Sequence, residues 1–181
     1  MAIQPVIVVM GVAGSGKTTV GALLAGRLSW PYAEADNFHP QSNVDKMAAG
    51  HPLTDADRKP WLEAIGRWID ERGAADQPGI VSCSGLKRSY RDLLRDGRPE
   101  VRMVFLQGSR ELIMRRMVTR HGHFMKPDML DSQFADLEEP GPDEHVLVVS
   151  VDHTPEEIVD QIMTGLALPD ATSSGKSWHQ A

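Results

Sequence analysis

Cysteine is almost absent from this sequence of 181 residues, in which Cys83 is the only one. An intrachain disulfide is therefore excluded and a cysteine-based zinc site is disfavoured, as is typical of proteins in a reducing cytoplasm. Long apolar runs are also missing, because the run Val6–Met10 is far too short to span a bilayer. We therefore expect a cytoplasmic protein without a membrane segment.

Positive charge is scarce overall but concentrated in one stretch. The chain has 19 Lys and Arg against 25 Asp and Glu, which gives a net charge of −6 and disfavours general nucleic-acid binding. Ten of the basic residues nevertheless lie between Lys87 and Arg120, against four acidic ones. A small anionic substrate would find its counter-charge in this stretch.

Length and patterning predict one α/β domain. A hydrophobic content of 41% and a charged content of 24% are typical of globular proteins. Apolar runs alternate with helical patterns, which predicts a parallel sheet with right-handed crossovers. We expect a single domain over residues 1–168, with a substrate-binding region at about 37–75 and a lid at about 120–137. Residues 169–181 are small and polar, and we expect a disordered tail there.

The strongest motif is a phosphate-binding loop, G-x-x-x-x-G-K-T, at Gly11–Thr18. It lies between the apolar run Val6–Met10 and a helical pattern that starts at Lys17, which is the context the motif requires. Lys17 is expected to reach the β- and γ-phosphates as a catalytic group, and the Thr18 hydroxyl to ligate Mg²⁺. The residues expected to contact ATP here are Gly11, Val12, Ala13, Gly14, Ser15, Gly16, Lys17, Thr18 and Thr19.

A carboxylate is expected beside this loop. No carboxylate follows the predicted strand that ends at Cys83, so a metal-supporting aspartate is missing at that tip. Asp36 follows the short strand predicted at 32–35, and ligands bind at the carboxyl ends of parallel strands. We therefore predict that Asp36 orients or deprotonates the acceptor hydroxyl and supports Mg²⁺ through water. The alternative is an aspartate that caps a helix or a turn.

Two groups of basic residues are candidates for binding an acceptor anion. Lys87, Arg88 and Arg91 lie where a strand that carries Ser82 and Ser84 turns into a helix. Cations at a helix N-terminus are unfavourable unless an anion is bound. Arg58 and Lys59 lie early in a long predicted helix, where an anion-binding role and a solvated face with a Lys59–Glu63 pair are equally compatible with the pattern.

A pair of arginines precedes the predicted lid. Arg116 and Arg120 lie one helical turn apart, where they would bind ATP and stabilise charge on the transferring phosphoryl group; the alternative is a surface helix face. His39, His121 and His123 do not have the spacing of a zinc motif, so hydrogen-bonding or lid roles are preferred.

Several segments together resemble the gluconokinase family. They are Gly11–Thr18, Ala35–Pro40, Asn43–Leu62, Ser82–Arg91, Gly122–Met125 and Ser132–Glu138. The resemblance implies transfer of phosphate from ATP, with Mg²⁺, to the C6 hydroxyl of D-gluconate in a cytoplasmic protein, commonly a homodimer. It also implies the three-layer P-loop kinase fold shared with shikimate and nucleoside monophosphate kinases, with a five-stranded parallel sheet of order 2-3-1-4-5. The substrate contacts implied are Asp36, His39, Arg58, Ser84, Lys87, Arg91 and His123.

Two other functions remain to be weighed. A kinase for shikimate or another sugar acid is disfavoured, because shikimate kinases have three glycines where this chain has Ser84, Gly85 and Leu86. A nucleotide-dependent switch would leave the basic turn at Lys87 and the arginines before the lid unexplained.

Overall fold

The computed structural model describes residues 3–119 and 127–171. Strands and helices alternate along these ranges, as the hydrophobic pattern predicts. The strands are β1 (Val6–Met10), β2 (Tyr32–Glu34), β3 (Gly79–Ser82), β4 (Val101–Gln107) and β5 (Leu147–Ser150). The helices are α1 (Lys17–Leu28), α2 (Gln41–Ala48), α3 (Asp55–Ala74), α4 (Arg88–Arg95), α5 (Arg110–Thr119), α6 (Pro127–Asp136) and α7 (Pro155–Gly165).

The five strands form one parallel sheet in the order β2-β3-β1-β4-β5. This confirms the predicted fold class and strand order. The carboxyl ends of β1, β2 and β3 lie side by side, because Val9 and Glu34 are both in register with Ser82. The loops that follow these three strands therefore meet at one edge of the sheet.

The central strand β1 divides the core into two layers. All five of its residues are fully buried, and successive side chains point to opposite faces. Val6, Val8 and Met10 belong to the cluster that includes residues of α3 and α4. Ile7 and Val9 pack in the cluster formed with α1 and α7. Burial on both faces explains why β1 is apolar without alternation.

Helix α3 is held over the end of β2. Thr54 and Asp57 form a capping box at its N-terminus, which satisfies backbone N–H groups that have no intrahelical partner. One turn later, the Trp61 indole N–H donates to the backbone oxygen of Ala35 at 2.7 Å. This bond ties α3 to the short 3₁₀ segment Ala35–Phe38 that carries Asp36.

Two elements begin where local signals in the sequence place them. Strand β1 covers the apolar run Val6–Met10, and helix α1 begins at Lys17 as predicted. At the start of α7, Thr154 and Glu157 form a capping box. Within the predicted tail, Asp170 pairs with Arg27 at 2.9 Å.

Two predicted features fall partly outside the described residues. The first part of the predicted lid, residues 120–126, lies outside them, whereas its second part forms α6. Residues 172–181 of the predicted tail also lie outside them. Among the helices of the described ranges, none is both long and apolar enough to cross a membrane.

Candidate active site

The phosphate-binding loop has the backbone that its glycines permit. Gly14 and Gly16 have φ values of +79° and +98°, a region that side chains disfavour. A Cβ at Gly14 would also lie 2.8 Å from the side chain of Met117 in α5. Helix α1 begins at Lys17, directly after Gly16, so its N-terminal dipole points into the loop. The Ser15 hydroxyl is buried there with no hydrogen-bond partner among the described residues.

Lys17 lies over the loop that precedes it. Its ammonium donates to the backbone oxygens of Gly11 and Val12 at 2.9 and 3.0 Å. Burial lowers the pKa of Lys17, although the nearby Cys83, Asp36 and Glu34 act in the opposite direction. An incoming triphosphate would supply the counter-charge that favours the ammonium form.

Glu34, which the sequence interpretation missed, lies beside Thr18. Its carboxylate accepts hydrogen bonds from the Ser82 hydroxyl at 2.7 Å and from the Tyr32 hydroxyl at 2.6 Å. Partial burial raises the pKa of Glu34, but bonds from Tyr32, Ser82 and Thr18 outweigh burial and hold the pKa below its usual value. Burial and the bond to Glu34 raise the pKa of Tyr32 to about 12.

The position of Glu34 could have been recognised from the sequence. It ends β2 two residues before Asp36, and β2 pairs with the strand that lacks a carboxylate at its tip. The register places Glu34 opposite Ser82, which brings the missing carboxylate to β3 from the neighbouring strand. The sequence analysis assigned support of the metal ion to Asp36 alone.

The donor set beside the loop fits a magnesium ion. Mg²⁺ prefers oxygen ligands and is usually held by one or two carboxylates together with waters and substrate phosphates. The Thr18 hydroxyl and the Glu34 carboxylate are in hydrogen-bond contact, and the charge of Asp36 acts on the same Lys17. Within the described ranges no group of three or more His, Cys, Asp or Glu could hold a metal ion without further ligands.

Asp36 and His39 lie at the mouth of the site, in front of α3. The Asp36 side chain is exposed. The His39 ring stacks on Trp61 with a centroid distance of 4.5 Å, and its Nδ1 lies 3.3 Å from the Asn43 amide nitrogen. Burial lowers the pKa of His39, with Asp36 acting to raise it and Arg58 to lower it. Two residues predicted to contact substrate are therefore brought together with Arg58.

Arg58 and Lys87 converge on the buried ring of Tyr90. Each cation lies 5.7 Å from the ring centroid, and Arg58 also donates to the Tyr90 hydroxyl at 2.9 Å. Asp55 accepts a bond from Lys87 at 3.0 Å and one from the Tyr90 hydroxyl. We call Asp55, Arg58, Lys87 and Tyr90 the Tyr90 cluster. It joins α3 to the loop after β3 and brings two cations together at one ring.

Arg91 has a different position from the predicted one. It is 1% exposed, and its guanidinium binds the equally buried carboxylate of Glu144. Its remaining terminal nitrogen donates to the backbone oxygens of Gly85 and Leu86 at 2.9 and 3.2 Å. The predicted contact with the substrate therefore needs correction: Arg91 supports the loop that carries Lys87, because its own donors are already engaged by protein oxygens.

Ser84 lies where the sequence predicts it, next to the phosphate-binding loop. Its backbone oxygen accepts from the Gly11 N–H at 3.2 Å. Gly85 follows with φ +54°, and a Cβ there would lie 2.6 Å from the sulfur of Met10. The turn that leads to Lys87 therefore depends on glycine at this position.

A cavity of about 580 Å³ opens on the other side of the loop. It is lined by Ser15 and Thr19 at the loop, by Arg116 of α5, and by residues 152–155 that follow β5. Arg116 donates to the backbone oxygen of His153 at 3.4 Å. The structure thus brings Arg116 to a nucleotide-sized cavity, and it adds the segment 152–155, which sequence reasoning missed. Its position after the last parallel strand was the available indication.

Two predicted site residues are not placed by the structure. Arg120, expected to be catalytic and to bind ATP, and His123, expected to contact the substrate, lie outside the described residues. Their roles stay predictions.

The chain was compared with known proteins. A family model described as Shikimate kinase matches residues 13–167. A gluconokinase from Gluconobacter oxydans (strain 621H) is 45% identical over 157 residues, which cover 87% of this chain and 88% of that protein. The chain belongs to the shikimate kinase family and, within it, to the gluconokinases.

Other gluconokinases are similar to this chain to the same degree. The thermoresistant gluconokinase of Escherichia coli (strain K12) is 43% identical over 155 residues, covering 85% of this chain and 89% of that protein. The crystal structure of a gluconokinase from Sinorhizobium meliloti 1021 superposes with a TM-score of 0.82 at 46% identity. That match covers 92% of this chain and 94% of the other. The gluconokinase resemblance seen in the sequence is therefore confirmed.

Proposed function

We propose that this chain transfers the γ-phosphoryl group of ATP to the C6 hydroxyl of D-gluconate, giving ADP and 6-phospho-D-gluconate. Membership of the gluconokinase family supports the reaction. The observation that carries it in this structure is the meeting of a phosphate-binding loop and the Tyr90 cluster at the same edge of the sheet. One binds a triphosphate, and the other supplies two cations to a small carboxylate.

ATP is held by the loop and by the cavity beside it. The backbone N–H groups of Gly11–Thr18 and the N-terminus of α1 bind the phosphates. Lys17 leaves its carbonyl partners and follows the γ-phosphate, where its charge offsets the charge of the transition state. The cavity between Arg116 and residues 152–155 accommodates the nucleoside.

Magnesium fits the donors beside Thr18. The Thr18 hydroxyl would hold it, with Glu34 and Asp36 bound through water, while the phosphates complete the oxygen ligands. When bound, the ion neutralises phosphate charge during transfer. Glu34 is suited to this position because its hydrogen bonds to Tyr32 and Ser82 keep the carboxylate ionised and oriented.

Gluconate lies between the Asp36 segment, α3 and the turn after β3. Its carboxylate replaces Asp55 as the partner of Lys87 and also binds Arg58, since guanidinium and ammonium groups bind carboxylates strongly. Its C6 hydroxyl points to Asp36, which orients it and accepts its proton. The His39 ring forms a hydrogen bond with one of the hydroxyl groups of gluconate. Ser84 lies between the gluconate pocket and the phosphate-binding loop.

Arg120 and His123 close the site from the lid. Arg120, together with Arg116, would close down with the lid, which excludes water and limits hydrolysis of ATP without an acceptor. His123 would contact the acceptor.

The reaction is tested by measuring ADP release over a panel of acceptors. The panel contains gluconate, other aldonates, shikimate, nucleoside monophosphates and no acceptor. We expect stimulation by gluconate and detection of its 6-phosphate. Equal ADP release with and without every acceptor would contradict the proposal and favour a nucleotide-dependent switch.

A cytoplasmic homodimer is part of the same proposal. The family resemblance supports the dimer, and the presence of a single cysteine, Cys83, supports a reducing cytoplasm. Light scattering after size exclusion measures the mass in solution, and a mass of 19.9 kDa at micromolar concentration would contradict a dimer.

A further inference from the structure

The phosphate-binding loop is bonded to a side chain from a helix far along the chain. The Ala13 N–H donates to Oε1 of Gln133 at 2.6 Å, across a separation of 120 residues. Gln133 lies in α6, so this bond joins the loop to the second part of the predicted lid. The motif assigned to the loop does not account for this contact.

Gln133 and a bound triphosphate compete for the same donor. The N–H groups of the loop are the groups that cradle phosphates, and Ala13 lies in the middle of the loop. A phosphate oxygen that takes the Ala13 N–H leaves Oε1 of Gln133 without its donor. Binding of a triphosphate would therefore release Gln133 from the loop.

The same helix reaches the acceptor pocket. Asp136 lies one turn after Gln133 on the same helix face, and its carboxylate is 4.0 Å from the Arg58 guanidinium. Just beyond α6, the Glu138 N–H donates to the backbone oxygen of Leu86 at 2.8 Å, and its carboxylate accepts from the Arg88 N–H at 3.0 Å. A movement of α6 at Gln133 would thus be transmitted to the turn that carries Lys87.

We propose that Gln133 is a positioning residue that couples occupancy of the phosphate cradle to the geometry of the gluconate pocket. The inference rests on the proposed function, because the pocket in question is the one assigned to gluconate. Exchange of the Ala13 N–H from Gln133 to phosphate releases α6 to adjust, and α6 then moves Asp136 and Glu138 relative to Arg58 and Leu86. ATP and gluconate consequently bind with positive cooperativity.

Packing alone is the competing explanation. Leu130 of α6 is fully buried in the core, and Phe134 and Leu137 pack against the same cluster. These contacts would hold α6 in place without any role for the Gln133 amide. A test must therefore separate loss of the amide from loss of packing.

The first measurement compares Gln133→Glu with Gln133→Ala. Titration calorimetry gives the Kd of a non-hydrolysable ATP analogue with Mg²⁺. Gln133→Glu keeps the acceptor for Ala13 but puts a carboxylate against the triphosphate, so we expect binding to weaken about tenfold or more. Gln133→Ala removes the competitor, so affinity is expected to stay equal or increase. Equal weakening in both variants would mean a packing role and would overturn the inference.

The second measurement is the cooperativity itself. The Kd of gluconate is measured with and without the ATP analogue, and in the parent the ratio is expected to be about fivefold or more. In Gln133→Ala the ratio falls to near one, while Gln107→Ala keeps the parent ratio. Gln107 is a matched control because its amide bonds Glu139 at 3.3 Å, close to the end of α6, without touching the loop. A ratio of one in the parent, or an unchanged ratio in Gln133→Ala, would overturn the inference.

Two readouts keep the outcomes distinct. Melting temperatures near that of the parent show that the variants are folded. Turnover of gluconate by the parent tests the proposed function separately: a parent that phosphorylates gluconate but shows no dependence on Gln133 contradicts only this inference.

Discussion

Arg91 and Glu144 form a buried ion pair with two hydrogen bonds, at 2.8 and 3.0 Å, and each side chain is 1% exposed. The pair joins the first turn of α4 to the 3₁₀ segment Pro142–Glu144 before β5. Through its other nitrogen, Arg91 also holds the backbone of Gly85 and Leu86. The turn after β3 is therefore supported by a buried cation that is paired with Glu144.

Breaking this pair is expected to cost stability. Arg91→Leu leaves the Glu144 carboxylate buried with one cation fewer, so the free energy of unfolding should fall by about 3–5 kcal/mol. Urea denaturation followed by circular dichroism measures it. Arg88→Ala, which breaks the exposed pair with Asp143, is the control and should change stability much less. Equal losses in the two variants would contradict the structural role of Arg91.

Removal of Lys17 is expected to affect turnover rather than folding. Lys17→Ala removes the charge that follows the γ-phosphate, so kcat should fall about 10²–10⁴-fold. Steady-state ADP release measures it, and Lys59→Ala, an exposed lysine of α3, serves as the control. A kcat within tenfold of the parent for Lys17→Ala would exclude the proposed role. The same loss is expected on removal of Arg120.

Substitutions of Glu34 and Asp36 are expected to affect activity in different ways. Glu34→Gln weakens the oxygen environment beside Thr18, so the Mg²⁺ concentration for half-maximal activity should rise while high Mg²⁺ restores part of the activity. Asp36→Asn should keep nucleotide binding and lose turnover, because it removes the group that orients the acceptor. Magnesium titrations of both variants make the comparison. Identical magnesium responses in the two variants would contradict separate roles for Glu34 in metal support and for Asp36 in orienting the acceptor.

The Tyr90 cluster is expected to determine gluconate affinity. Arg58→Ala and Lys87→Ala each remove a charged partner of the substrate carboxylate, so KM for gluconate should rise about 10- to 100-fold while KM for ATP changes little. Arg67→Ala, an exposed arginine on the same helix, is the matched control. An unchanged KM for gluconate in both cluster variants would place the carboxylate elsewhere.

Acid is expected to weaken the N-terminus of α3. The bond from Lys46 at 2.5 Å, with those to Thr54, lowers the pKa of Asp57 from 3.8 to about 2. Because the folded-state pKa is the lower one, this contribution is complete above the unfolded pKa and is lost as the pH falls toward 2. Asp57→Asn should lower Tm at pH 7, with a difference that shrinks between about pH 4 and pH 2. Asp128→Asn, in the first turn of α6, is the control; a pH-independent difference for Asp57→Asn would contradict the assignment.

Local signals in the sequence were sufficient for much of this protein. The loop Gly11–Thr18 requires a strand before it and a helix after it, and the apolar run Val6–Met10 can only be buried on both faces. Capping residues such as Thr54 and Thr154 determine where helices begin, because the bonds they make span only three residues. The fold class and the position of the phosphate site followed from such patterns, whereas the strand order was implied only by the family resemblance.

Only the tertiary structure decided which polar side chains meet. Arg91 and Lys87 are both basic and close in sequence, yet Arg91 is buried against Glu144 while Lys87 joins Arg58 at Tyr90. Glu34 reaches Ser82 because β2 pairs with β3, and Gln133 reaches Ala13 because α6 packs over the loop. The bonds Glu34–Ser82, Arg91–Glu144 and Ala13–Gln133 link residues 48, 53 and 120 positions apart, and no local pattern encodes such pairings. Sequence alone thus determined that the chain carries a P-loop kinase site, whereas the folded arrangement decided which basic side chains are buried in ion pairs and which meet in the Tyr90 cluster.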